Sequence, residues 1–204
     1  EIFYTYSKSV DGWTVIAAAR LRIPQPDRAL RPIVTESDPW VEASDVIPMF
    51  PTFVWKSQLK TEIQNPIDAK ILATLEGIRR DLPELGSGEG WQSRHTLHEN
   101  EEFRDLISCV RNLTKSILRF CRIGYEAFEI TGCWATVLAR RATHRAHSHP
   151  NNFLSGVYYV RTLPGADTIN FHDPRRQTSV IRPPVVGLAA ENTDQVVVRV
   201  TNGT

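Results

Sequence analysis

The chain contains no apolar run approaching the roughly 18 residues that a helix needs to cross a bilayer, so no membrane partner is expected. It also lacks an uninterrupted apolar stretch near its start, where Lys8 is soon followed by Asp11, so no signal peptide is read there. Neither sign of charge dominates: 24 Lys and Arg stand against 23 Asp and Glu, for a formal net charge of +1. A nucleic-acid binder would normally carry a basic face or stripe, so that class is set aside. The three cysteines, Cys109, Cys121 and Cys133, are odd in number and include no CxxC pair. That gives no support for a disulfide framework or zinc knuckle and leaves buried thiols in a reducing, cytoplasmic setting as the expectation. Internal repeats and low-complexity tracts are missing too. What is there is ordinary globular material: 204 residues, 41% hydrophobic, 23% charged, with five Trp. This suffices for one substantial core, or one domain with an appendage. Oligomeric state is not legible.

Residues 1–45 read as an irregular extension. Ile23-Pro24-Gln25-Pro26 and Arg31-Pro32 interrupt any regular element there, and only Thr14 to Leu21 has the makings of a short helix or strand. A single domain is expected over 46–204. Met49 to Trp55 is β-branched and aromatic, which suits an edge strand. Asn65-Pro66 supplies a cap and a proline at a first helical position. Ile67, Ile71, Leu72, Leu75, Ile78 and Leu82 then follow at helical spacing up to Pro83. Asn100 caps a second helix with an apolar face of Phe103, Leu106, Ile107, Val110, Leu113, Ile117 and Cys121, ended by Gly124. Short strands are predicted at 129–139, 153–161, 168–172, 178–182 and 195–200. Helices first and strands afterwards point to an α+β fold, an antiparallel sheet or barrel packed on two helices.

The most informative stretch runs from His144 to Val160. His147 and His149 stand two apart, so in extended backbone both imidazoles share one face. Two neutral imidazoles make half of a site for a borderline divalent metal such as Fe, Zn, Cu or Ni. Pro150 and Asn151-Asn152 would turn the chain there and hold the pair at a barrel mouth. The competing reading is a solvated basic patch, since Arg140, Arg141 and Arg145 lie among these histidines. His144, three residues before His147, is read as a neighbour and not as a ligand.

His147-Ser148-His149-Pro150, followed by Ser155-Gly156-Val157-Tyr158-Tyr159 and Asp173-Pro174-Arg175, resembles the 2-oxoglutarate/Fe(II)-dependent oxygenase family. Within it the motifs are closest to an uncharacterised group of marine bacteria and their phages, which also shows elements similar to Phe50-Pro51 and Gly90-Trp91-Gln92-Ser93. The resemblance covers about 46–204. It implies a double-stranded β-helix, or jelly-roll, with N-terminal supporting helices. It also implies Fe(II) and 2-oxoglutarate as cofactors, with His147 and His149 as metal ligands and Asp173 as a weaker candidate. Tyr159 matches a position that contacts the cosubstrate in related prolyl hydroxylases, with Tyr158 and Arg175 as lesser candidates. A core tyrosine satisfied elsewhere is the alternative for Tyr159, and an Asp-Pro turn residue bonded to its own backbone is the alternative for Asp173.

Three features depart from the family pattern. A histidine, His149, stands where the carboxylate of a His-x-Asp/Glu pair is usual; no histidine follows His172; and no Arg or Lys follows a distal histidine. Val200-Thr201-Asn202-Gly203-Thr204 stops just after an Asn-Gly turn signal, so the C-terminal part of the jelly-roll is expected to be missing and this fragment to be inactive. A three-histidine dioxygenase of cupin type without 2-oxoglutarate, and a non-catalytic jelly-roll binding module, are the other two readings. The substrate would be a small molecule or a protein side chain.

Overall fold

The computed structural model describes residues 5–8, 12–17, 47, 49, 52–175, 180, 184 and 192–204. Its strands are β1 (Thr5–Lys8), β2 (Gly12–Ala17), β3 (Gly90–Gln92), β4 (Cys133–Leu138), β5 (Thr143–His144), β6 (Gly156–Arg161), β7 (Thr168–His172) and β8 (Gln195–Arg199). Two long helices, α1 (Thr61–Arg79) and α2 (Arg104–Phe120), precede β4 in the chain. The strands form two four-stranded antiparallel sheets, ordered β5-β1-β7-β8 and β3-β4-β2-β6. The α+β character read from the sequence is therefore present.

Two of those strands come from the segment expected to be irregular. β2 lies between β4 and β6, pairing Ala17 with both Cys133 and Gly156, while β1 lies between β5 and β7. No proline precedes Pro24 in the sequence, so none interrupts residues 5–8 or 12–17. Residues 18–46, together with the strand predicted at 178–182 and Arg182, lie outside the described residues apart from Val180.

α1 starts earlier than Asn65-Pro66 implies. Its cap is Lys60, and Pro66 falls inside the helix, where its ring nitrogen cannot bond the Glu62 carbonyl. The start is fixed from outside instead: the Leu59 amide donates to the Gly203 carbonyl at 2.9 Å, and Ile63 and Gln64 donate to Lys60. Ile67, Ile71 and Leu75 are buried as the spacing predicts, but the helix ends at Arg79 and leaves Ile78 and Leu82 exposed. The edge strand expected over Met49 to Trp55 is not formed by the described residues there, with Phe50-Pro51 lying outside them. Residues 52–60 pair with no strand, and the aromatics pack sideways, Phe53 on Trp55 and Trp55 edge-on to Phe120 at 5.9 Å.

Asn100 does cap, its side chain accepting from the Glu102 amide of a 3-10 turn that leads into α2. α2 buries Leu106, Ile107, Thr114 and Leu118 beneath Phe103, whereas Leu113 is exposed. Arg122, not Gly124, takes the left-handed conformation after the helix (φ 52°), with Ile123 closing back on Leu118.

One core cluster joins α1, α2, β4 and β6 through Ile71, Leu75, Phe103, Leu106, Cys133 and Val160. A smaller one joins Tyr159, Ile169 and Val200. Tyr158 and Tyr159 thus alternate in β6, one toward the helices and the other toward β7 and β8. The chain then closes on β6: Asn202-Gly203 turns, Gly203 donates to the Tyr159 carbonyl and the Tyr159 amide donates to Thr204.

Candidate metal centre

β4 delivers the chain to the site. After Leu138 a tight turn, with Arg141 at φ 66°, leads into β5, and residues 145–149 run on without regular structure to a turn at Pro150-Asn151. The histidine pair therefore does not sit in a strand. Its imidazoles converge all the same: His147 Nε2 and His149 Nε2 are 2.8 Å apart.

The flanking contacts account for the ring protons. His147 Nδ1 donates to the Arg145 carbonyl (2.8 Å), so His147 Nε2 is the acceptor in the shared contact and His149 Nε2 the donor. His149 Nδ1 then accepts from the Ser155 hydroxyl at 3.1 Å. Trp134 of β4 backs the pair, tilted against His149 (centroids 5.4 Å) and stacked on His95 (4.3 Å). Its indole Nε1 is buried without a hydrogen-bond partner among the described residues.

Burial disfavours the charged forms of His149 and His144. His149 is lowered from its ordinary value first by desolvation and then by His147 and His95. His144, its ring 4.6 Å from that of His147, is pushed down to about 4 by burial, with His147 and His149 adding to the effect.

The pair borders two cavities. One, of about 290 Å³, is lined also by Tyr158, Tyr159, Ser155 and Asn152 and by faces of α2, β7 and β8. The other, of about 400 Å³, is lined also by Gln92, His95, Trp134, His144 and Asn152. The structure thus brings His147, His149 and both tyrosines to one cavity. The Tyr158 hydroxyl is committed elsewhere, donating to Asp68 of α1 at 2.8 Å. Tyr159 is buried, and burial raises its phenol well above the usual value.

Asp173 and Arg175 line neither cavity. Asp173 accepts from the Arg175 backbone amide (2.9 Å) and from its guanidinium (2.5 Å), the local turn bonding that its Asp-Pro setting favours. Arg199 pairs with Asp167. Trp91 and Ser93 line neither cavity, although their neighbour Gln92 lines the second. Sequence reasoning missed Ser155, six residues beyond His149, and His95 and Trp134, which reach the pair from more distant positions. No spacing rule links 95 and 134 to 149; only the β4 register does.

Two imidazole nitrogens 2.8 Å apart fit adjacent ligand positions, since metal–nitrogen bonds of about 2.0–2.1 Å at a right angle separate cis ligands by about 3 Å. The Arg145 carbonyl and Ser155 hydroxyl orient the two rings from behind, as outer partners of ligating histidines do. No group of three or more such ligands is assembled among the described residues, so the fit extends to two positions.

Residues 132–204 match the family model described as "Putative 2OG-Fe(II) oxygenase". That stretch holds β4 to β8, both histidines and Tyr159, while Gly90-Trp91-Gln92-Ser93 lies outside it. No curated protein and no solved structure matches the chain.

Proposed function

We propose that the chain is a 2-oxoglutarate- and Fe(II)-dependent oxygenase domain of the hydroxylase type, on the premise of the family match over residues 132–204. The observation that carries the reading is the convergence of His147 and His149, each oriented through its other nitrogen, on the cavity that Tyr159 lines. In this proposal the two antiparallel sheets are the halves of a jelly-roll, and α1 and α2 buttress it. Cys109, Cys121 and Cys133, none in a disulfide, fit a reducing, cytoplasmic setting.

His147 and His149 would hold Fe(II) through their Nε2 atoms. When bound, the iron with 2-oxoglutarate and dioxygen supplies the oxidising chemistry, which belongs to those groups and not to the protein. The protein's own residues bind and orient. To offer Nε2 to the ion, His149 would take the tautomer that carries its proton on Nδ1. Ser155 then serves as acceptor for the His149 Nδ1 proton. Trp134 keeps water from one face of the pair, and Tyr159 is assigned to the cosubstrate carboxylate.

A metal dioxygenase of three-histidine type without 2-oxoglutarate is the second reading, since His149 stands where a carboxylate is usual. Anaerobic addition of Fe(II) and then 2-oxoglutarate separates them. The oxygenase reading expects a weak visible charge-transfer band that needs both additions and is lost in His147→Ala. Iron binding without any response to 2-oxoglutarate supports the three-histidine alternative. A protein that takes up no iron is the non-catalytic binding module.

A further inference from the structure

The two cavities that meet at the histidine pair differ in chemistry. The larger is polar, with Gln92, His95, His144, Ser148 and Asn152 around it. The smaller is mostly apolar, its polar side chains including Asn152, Ser155 and the two tyrosines. α2 contributes Leu106, Val110 and Ile117, and the strands contribute Val157, Phe171 and Val198. No Asp or Glu lines it among the described residues, and Lys56, exposed, is the one lysine or arginine there.

Its volume, about 290 Å³, is at the lower end of small-molecule sites, which span roughly 300–1,000 Å³. Along these α2 and strand faces a buried polar group finds no partner, so a polar chain laid there would lose its water without compensation. A hydrocarbon chain loses nothing there and gains by burial. Any ionised group on such a ligand has to stay at the exposed rim, where the charge on offer is positive.

We propose that this cavity binds the hydrocarbon body of a medium-chain aliphatic carboxylic acid, with the carboxylate at Lys56 and the chain running along α2 within the cavity bordered by His147 and His149. The chain is the substrate if the oxygenase reading holds, and oxidation then falls on an unactivated carbon. Binding itself does not depend on iron.

Decanoic acid is the probe, titrated calorimetrically into the 204-residue protein without metal. Cys109 supplies a local reporter, because this half-buried free thiol lines the cavity whereas Cys121 does not. Saturable binding is expected, with alkylation of Cys109 slowed by decanoate and alkylation of Cys121 unchanged. Lys56→Gln should weaken decanoate by about two- to fivefold, the worth of one exposed ion pair, and leave decan-1-ol unaffected. Val110→Trp should reduce both ligands by at least about tenfold by filling the space. Leu113→Glu, at an already exposed lining position, should also weaken both and does not depend on the core tolerating a new ring.

Absence of binding, or binding that leaves Cys109 unprotected, overturns the proposal. Undiminished affinity in both Val110→Trp and Leu113→Glu does so as well, and equal loss of acid and alcohol in Lys56→Gln removes the carboxylate assignment. The charge-transfer band is read separately. Decanoate binding without that band refutes the oxygenase reading alone, and the band without decanoate binding refutes this inference alone.

Discussion

Single side chains in this protein take their meaning from what they touch. Tyr158 and Tyr159 are neighbours in sequence with opposite fates, one bonded to Asp68 on α1 and one packed among Ile169 and Val200. Asp68 is half-buried, and desolvation holds its carboxyl above the ordinary value even though Gln64 and Tyr158 both donate to it. Tyr158→Phe withdraws one of those donors from a carboxylate already short of water. A loss of about 1–3 kcal/mol is expected in urea unfolding. Unchanged stability would mean that Gln64 alone satisfies the group. Asp173 shows the opposite shift, held below the usual carboxylate range chiefly by its hydrogen bond with Arg175. A depressed folded value stabilises the native state above the unfolded value and is lost as pH falls through the folded one. Arg175→Ala should therefore cost stability near pH 7, with the difference from the native protein shrinking as pH falls from about 5 to 2, read by urea unfolding followed by circular dichroism at a series of pH values.

At the scale of elements, boundaries follow partners more than local signals. β7 spans Thr168–His172 as predicted, because Asp173-Pro174 ends it and Ile169 needs the inner face. The strand predicted at 129–139 shrinks to Cys133–Leu138, where β2 and β3 provide pairing. α1 begins four residues ahead of its apparent cap because the Gly203 carbonyl meets Leu59 from across the molecule, a contact no local pattern announces. Pro66 is thereby trapped in a helix interior. Pro66→Ala restores a bond to the Glu62 carbonyl and should stabilise by on the order of 1 kcal/mol, after the greater freedom of the unfolded alanine chain is subtracted. A lower melting temperature for this variant would show that α1 is bent to advantage there. The candidate site was legible in part for the same reason. His147, His149 and Tyr159 lie within one short stretch and could be read together, whereas His95 and Trp134 reach the pair only through tertiary packing.

Across the whole molecule, residues 201–204 act as a clasp. Gly203, at φ +80°, bonds the Tyr159 and Leu59 backbones at once, and Gln58 donates to the Asn202 carbonyl. A Cβ at Gly203 would collide with the Gln64 and Gln58 side chains as well as strain the backbone. Gly203→Ala is expected to cost about 1–2 kcal/mol, seen as a lower melting temperature with the midpoint for α1 and for the sheets still coincident. Separate midpoints would show that the clasp does not couple them. The order of the second sheet carries a different kind of consequence. β2 is central there, yet both of its neighbours, β4 and β6, lie far downstream. On a ribosome, β2 emerges long before either partner has been made. It must wait through the synthesis of both helices with its backbone groups unpaired, and the sheet closes only when Gly156 to Arg161 has followed. Nascent chains paused in the α2 region should therefore be the species most dependent on a chaperone.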